Sequence, residues 1–273
     1  MTPTAAVPKV KLNDDHSIPI VGFSVTDGPS ERTENMVAAA LAAGYRFIDT
    51  APASEAAVGR AIAASGIPRE ELYVSTSLPT ADQGFQSSQD GCKASLAQLG
   101  LDYLDLFLID WPAEENGKYI DAWGGVMKSK EIGDTRSIGV SNFSGEHLSN
   151  IVDLSFFTPA VHRLELNPTL AQTELRKAHA DYGAVAVAYC PLAGGALLEN
   201  PQVVEVANQL GVTPAQVLIR WSIQHGNIVM TRATTPAQLA ENFDVFGFTL
   251  TDVQMQTLDA LDSGSRLHPG PQA

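Results

Sequence analysis

Eight short runs rich in β-branched and aromatic residues recur along this chain, and stretches with helical spacing lie between them. The runs fall at residues 20–25, 47–49, 72–76, 104–110, 137–140, 161–166, 185–189 and 228–232. Segments such as 34–43, 89–99, 170–180 and 236–243 carry apolar residues at helical intervals in Ala-rich surroundings. Alternating strand and helix demand a parallel sheet with helices packed against it, and eight such units close naturally into a barrel. The expected fold is therefore α/β, a single (β/α)8 TIM barrel over residues 1–273. Residues 10–20, which turn at Asn13-Asp14-Asp15, read as an N-terminal β-hairpin that caps the barrel bottom. The Gly- and Pro-rich residues 263–273 read as a flexible, partly ordered tail.

Composition narrows the class of function. Against 17 Lys and Arg stand 31 Asp and Glu, a net charge of −14, which speaks against nucleic acid as a partner. Hydrophobic residues make up 44% and charged ones 18%, enough apolar material for one large core. No run approaches the roughly 18 apolar residues of a membrane span, and residues 1–10 lack a signal pattern. A cytoplasmic monomer that meets a small-molecule substrate, and neither membrane nor nucleic acid, is expected. Cys92 and Cys190 form no CxxC pair, and His16, His147, His179, His225 and His268 show no ligand spacing, so neither a disulfide nor a metal site is expected.

Barrel enzymes place their chemistry at the C-terminal ends of the strands. Thr26, Asp49, Ser77, Asp110, Asn142, Arg163, Tyr189 and Arg232 occupy those positions. His162 has the opposite strand parity to Arg163, so one of the two faces the helix layer, and His162 is read as structural. Trp123 and Trp221 fall on helical segments and read as packing.

Four strings carry a more specific signal: Gly44-Tyr45-Arg46-Phe47-Ile48-Asp49-Thr50, Leu101-Asp102-Tyr103-Leu104-Asp105-Leu106, Ser137-Ile138-Gly139-Val140-Ser141-Asn142-Phe143 and Glu241-Asn242-Phe243-Asp244-Val245-Phe246. Taken together and in this order, they resemble the aldo-keto reductases, and are most similar to the short bacterial members like diketogluconate reductases. The resemblance implies a barrel that binds NADPH extended across its mouth without a Rossmann domain, and a tetrad of Asp, Tyr, Lys and His that reduces carbonyls. On this alignment the Asp falls on Asp49 and the other three are replaced. The loop Ala51-Pro52-Ala53-Ser54-Glu55 is shorter than usual and has no Tyr, the Lys falls on Ser77, and the His falls on Asp110. A serine hydroxyl is too weak an acid to protonate a developing alkoxide in place of the phenol.

The cofactor positions are divided. Ser141 and Asn142 match the pair that holds the nicotinamide carboxamide, Tyr189 the aromatic that stacks on its ring, and Glu241 and Asn242 the adenine contacts. Against these, a carboxamide-binding Gln becomes Arg163, a phosphate-binding Ser becomes Ala233, and the Arg that clasps the 2′-phosphate becomes Gln238, with Arg232 in place of the family's Lys. The expectation from these departures is a site without a cofactor, or with residual NADPH binding only. A non-redox enzyme follows, in which Asp49 and Asp110 act as an acid/base pair for cyclisation, dehydration, isomerisation or rearrangement of a small molecule. Arg163 would hold an oxyanion or carboxylate of the substrate, with Trp111, Ser77, Ser54 and Thr26 lining the pocket. Two alternatives stay open: an NAD(P)H-dependent carbonyl reductase with Asp110 as an unusual proton donor, and a catalytically inactive binding protein.

Overall fold

The computed structural model describes residues 7–25, 28–112 and 117–268. Its N-terminal hairpin pairs β1 (Lys9–Lys11) with β2 (Ser17–Pro19) in antiparallel register, Val10 opposite Ile18. Eight parallel strands follow and close on themselves: β3 (Val21–Ser24), β4 (Phe47–Asp49), β5 (Tyr73–Leu78), β6 (Leu104–Ile109), β7 (Thr135–Ser141), β8 (Val161–Glu165), β9 (Val185–Tyr189) and β10 (Ile228–Thr231). The seam is the pairing of β10 with β3, Met230 opposite Gly22. The barrel and hairpin read from the sequence are both present.

Helices cover the outside: α1 (Ser30–Ala43), α2 (Glu55–Ser65), α3 (Phe85–Leu99), α4 (Lys118–Ile132), α5 (Gly145–Ser155) and α6 (Thr173–Asp181) each follow one strand. Two helices follow each of the last two strands, α7 (Pro201–Leu210) and α8 (Pro214–Gln224) after β9, and α9 (Pro236–Phe243) and α10 (Asp252–Asp259) after β10. Local chemistry fixes their starts. Thr213 and Gln216 form a reciprocal capping box on α8, Thr251 and Gln254 do the same on α10, and Asn200 caps α7 ahead of Pro201.

The period-2 alternation of the strands divides the core in two. Outward-facing residues such as Ile48, Val74, Phe107 and Ile138 meet the helices, while Phe47, Tyr73, Leu106, Leu108, Val161, Val187 and Met230 fill the lumen together with Leu12 and Ile18 from the hairpin. His162 points outward, fully buried, where its Nε2 accepts the Phe143 N–H and its ring packs edge-on to His179. With the hairpin against the bottom and the lumen packed, the described strand ends open at the C-terminal mouth.

Candidate active site

Strand register assembles the mouth. Ser24, Asp49 and Ser75 lie opposite one another on three adjacent strands, so both hydroxyls reach the same carboxylate: Ser24 Oγ donates to Oδ2 at 3.1 Å and Ser75 Oγ to Oδ1 at 2.6 Å. Across the barrel, Ser141 is opposite Arg163, and Arg163 Nε donates to Ser141 Oγ at 3.1 Å. Its guanidinium spans the mouth, with Nη1 3.3 Å from Asp49 Oδ2 and Nη2 2.6 Å from Asp110 Oδ1. Asp49 and Asp110 are thus brought to one place, and the arginine stands between them as a shared counter-ion. Burial alone would pull the arginine pKa down, but Asp49 and Asp110 more than offset this and hold it above its ordinary value.

Asn142 completes this wall in a left-handed conformation, φ 58°, which Asn tolerates better than most residues. Its Nδ2 donates to Ser141 Oγ and its Oδ1 accepts from the Tyr189 hydroxyl at 2.7 Å. Burial, and next the carboxylate of Glu165, push the Tyr189 phenol well up, so it remains a donor. Asp49, Asp110, Ser141, Asn142, Arg163 and Tyr189, with Ser24, Ser77, Trp111, Met230, Arg232 and His268, line a cavity of about 290 Å3. A second cavity of about 550 Å3 runs outward between the loop after β9 and α9, lined by residues including Leu192, Gly194, Gly195, Gln238, Glu241 and Asn242. Arg232 lines both cavities.

Most of the residues singled out in the sequence meet here, with two exceptions. Ser54 is buried at the start of α2, where its backbone carbonyl accepts the Ala57 and Val58 N–H groups, and it does not line the cavity; Thr26 lies outside the described residues. Sequence reasoning missed Ser24 and Ser75, although the inward parity shared by Ser75 and Ser77 carries that signal. It also missed His268, which no local pattern announces. Both oxygens of the buried Glu165 accept backbone N–H groups, from Leu267 at 2.8 Å and His268 at 3.0 Å. The segment read as a flexible tail is therefore strapped over the mouth as far as His268, whose ring stands beside Tyr189.

A dinucleotide fits the polar groups present. Ser141 Oγ accepts two bonds and keeps its own hydrogen, and Asn142 keeps one amide hydrogen, which leaves two donors for a carboxamide. In the outer groove, Gly194 and Gly195 have φ 64° and 96°; the Cβ side of Gly194 is covered by Leu267, whereas Gly195 has only Leu198 at ordinary contact distance, leaving room for a flat or charged group to approach there. Among the described residues no cluster of His, Cys, Asp and Glu suits a metal ion, and no helix is long and apolar enough to cross a membrane.

Comparison with known proteins agrees with the geometry. The sequence profile of the Aldo/keto reductase family matches residues 25–263, and the chain belongs to this family. It is 58% identical over 270 residues to an aldo-keto reductase of Mycobacterium sp. (strain MCS), covering 98% of this chain and 95% of the relative. A second relative of the same name, from Mycolicibacterium vanbaalenii, is 57% identical with 100% and 98% covered. Among solved structures, an aldo/keto reductase from Brucella melitensis superposes with a TM-score of 0.91 at 40% identity, covering 94% of this chain and all of its own. A variant of Gox0644 solved in complex with NADPH gives 0.94 at 34%, with 97% and 98% covered. The expectation of a non-redox enzyme does not stand against relatives of this name at such identity over nearly the whole chain. The expectation of a site without any cofactor is likewise displaced, and only its provision for NADPH binding agrees with the neighbour solved with that ligand.

Proposed function

We propose that the chain is an NAD(P)H-dependent carbonyl reductase in which the Arg163 guanidinium, rather than a phenol, receives the charge that develops on the carbonyl oxygen. One observation carries the reading: Arg163 is gripped by Ser141, Asp49 and Asp110 at the centre of the mouth, yet these bonds do not use all five of its N–H groups. It retains donors for an oxygen in the cavity, oriented before any substrate arrives. A bound nicotinamide would supply the hydride. Arg163 holds its own proton too tightly to act as the acid, so it stabilises the alkoxide without protonating it. The proton that completes the alcohol comes from solvent at the rim beside Asp110, the more exposed of the two carboxylates. Tyr189, fixed to Asn142, keeps the Ser141–Asn142 wall in place.

A mechanism that lacks a strong acid favours carbonyls whose alkoxides are weakly basic, such as α-keto esters and α-dicarbonyls. With either reduced dinucleotide, the purified protein is expected to convert such substrates to alcohol in step with cofactor oxidation. Arg163→Ala is expected to lower turnover by about 10²–10³, the usual effect of removing an oxyanion donor. Absence of alcohol above background with both dinucleotides would overturn the assignment.

A further inference from the structure

A dinucleotide whose reactive ring lies beside Tyr189 has one way out of the mouth. Its pyrophosphate would pass Arg232, which lines both cavities, and its second nucleoside would then occupy the outer groove against α9. Arg232 is the only cation among the described residues that line this groove, and Glu241 is its acid.

Beyond Arg232, the described wall that would face the ribose of that nucleoside carries no cation, and several of its neutral donors are already engaged. The backbone N–H and the hydroxyl of Thr234 both donate to Gln238 Oε1, at 2.9 and 3.0 Å. Gln238 N–H is capped by Thr235 Oγ1, Pro236 has no N–H, and Asn242 Nδ2 donates to the Arg232 carbonyl. What remains turned to the groove is a neutral carboxamide at Gln238 and a carboxylate at Glu241. The carboxylate of Glu241, wherever along the nucleoside it lies, adds negative charge to the groove and repels a phosphate brought into it. A 2′-phosphate would bring about two further negative charges to a groove whose one cation already faces the pyrophosphate.

We infer that this groove selects the dinucleotide without a 2′-phosphate, NADH in preference to NADPH, with Glu241 and Gln238 as the discriminating residues. The inference rests on the reductase reading above. Isothermal titration of the full chain with NADH and NADPH, at one salt concentration and without substrate, tests it. NADH is expected to bind at least about tenfold more tightly, the equivalent of roughly one charge-assisted contact. Gln238→Arg is expected to improve NADPH relative to NADH by about tenfold, and Glu241→Gln to narrow the gap. Equal or tighter binding of NADPH by the unaltered chain would overturn the preference while leaving the reductase reading intact. Failure of both dinucleotides to bind at millimolar concentration would overturn both.

Discussion

Arg163 and Asp110 meet through one contact of 2.6 Å, but the guanidinium is 13% exposed and the carboxylate 36%. The bond therefore joins a dry side chain to a wet one, whereas the second arm of Arg163 reaches Asp49, which is 7% exposed at the side chain. The two arms should differ in energetic weight. Removing one partner of a buried pair costs about 3–5 kcal/mol, while exposed pairs are worth about 0–1.

Arg163→Met should accordingly destabilise the fold by roughly 3 kcal/mol, mainly through the unpaired Asp49. Asp110→Asn should cost less than about 1 kcal/mol. Urea unfolding of the two variants checks this, and equal losses would show that the mouth is drier than its geometry indicates.

Two buried histidines contribute to the loss of stability in acid. Burial, and next the neighbouring Arg176, push His179 down to about 4, and burial with His179 nearby holds His162 well below its ordinary value. The unfolded chain therefore binds more protons than the folded one between about pH 4 and pH 6.5. Stability from these groups is complete above the unfolded value and falls as the pH drops through this window, by up to about 1.4 kcal/mol per pH unit for each histidine. Urea midpoints at pH 7 and pH 5 should show the decline, with a shallower slope in His179→Gln. The same slope in the variant would remove His179 from the account.

Gly139, on the lumen strand β7, has no room for a methyl group, since a Cβ there would sit 2.6 Å from the Val161 carbonyl oxygen on β8. Backbone cannot swing aside as a side chain does. Gly139→Ala should cost about 1–3 kcal/mol or more through overpacking, readable as a lower thermal midpoint; a stability equal to that of the unaltered chain would mean that β8 shifts freely.

Glu165→Gln should loosen the strap over the mouth, because one of its two acceptor oxygens becomes an NH2 group. Losing a hydrogen bond to a charged acceptor corresponds to roughly tenfold faster opening. Hydrogen exchange should quicken at the amides of Leu267 and His268 but not along β8. Unchanged exchange at those two amides would show that the strap is held by its other contacts, such as Ser263 and Ser265 on the Thr169 carbonyl.

The barrel was legible because its signals are local. The apolar runs of β6 or β9 and the Ala-rich helical spacing between strands need only a few consecutive residues. Strand ends were less so: β5 runs on to Leu78 and β7 begins at Thr135, because ladder pairing with β6 extends both beyond the apolar run. The strand-end positions of Asp49 and Asp110 were legible too, whereas Arg163, read as a strand end, is the middle residue of β8; the bonds between the three were not legible. Those depend on register across separate strands, and so does the conversion of two carboxylates from an acid/base pair into the ligands of one arginine. His268 was beyond reach, since Glu165 holds it from more than a hundred positions away.

The β3–β10 seam has a bearing on how the chain is made. Thr231 Oγ1 donates to the Gly22 carbonyl across 209 positions, so on the ribosome the first barrel strand emerges long before its last neighbour exists. At about 5–20 residues per second, that interval is roughly 10–40 s. During it β3 is an unpaired edge in a crowded cell, the kind of surface on which nascent chains join one another. At four residues, Val21–Ser24, it offers only a short template to strangers at the seam where the finished barrel closes.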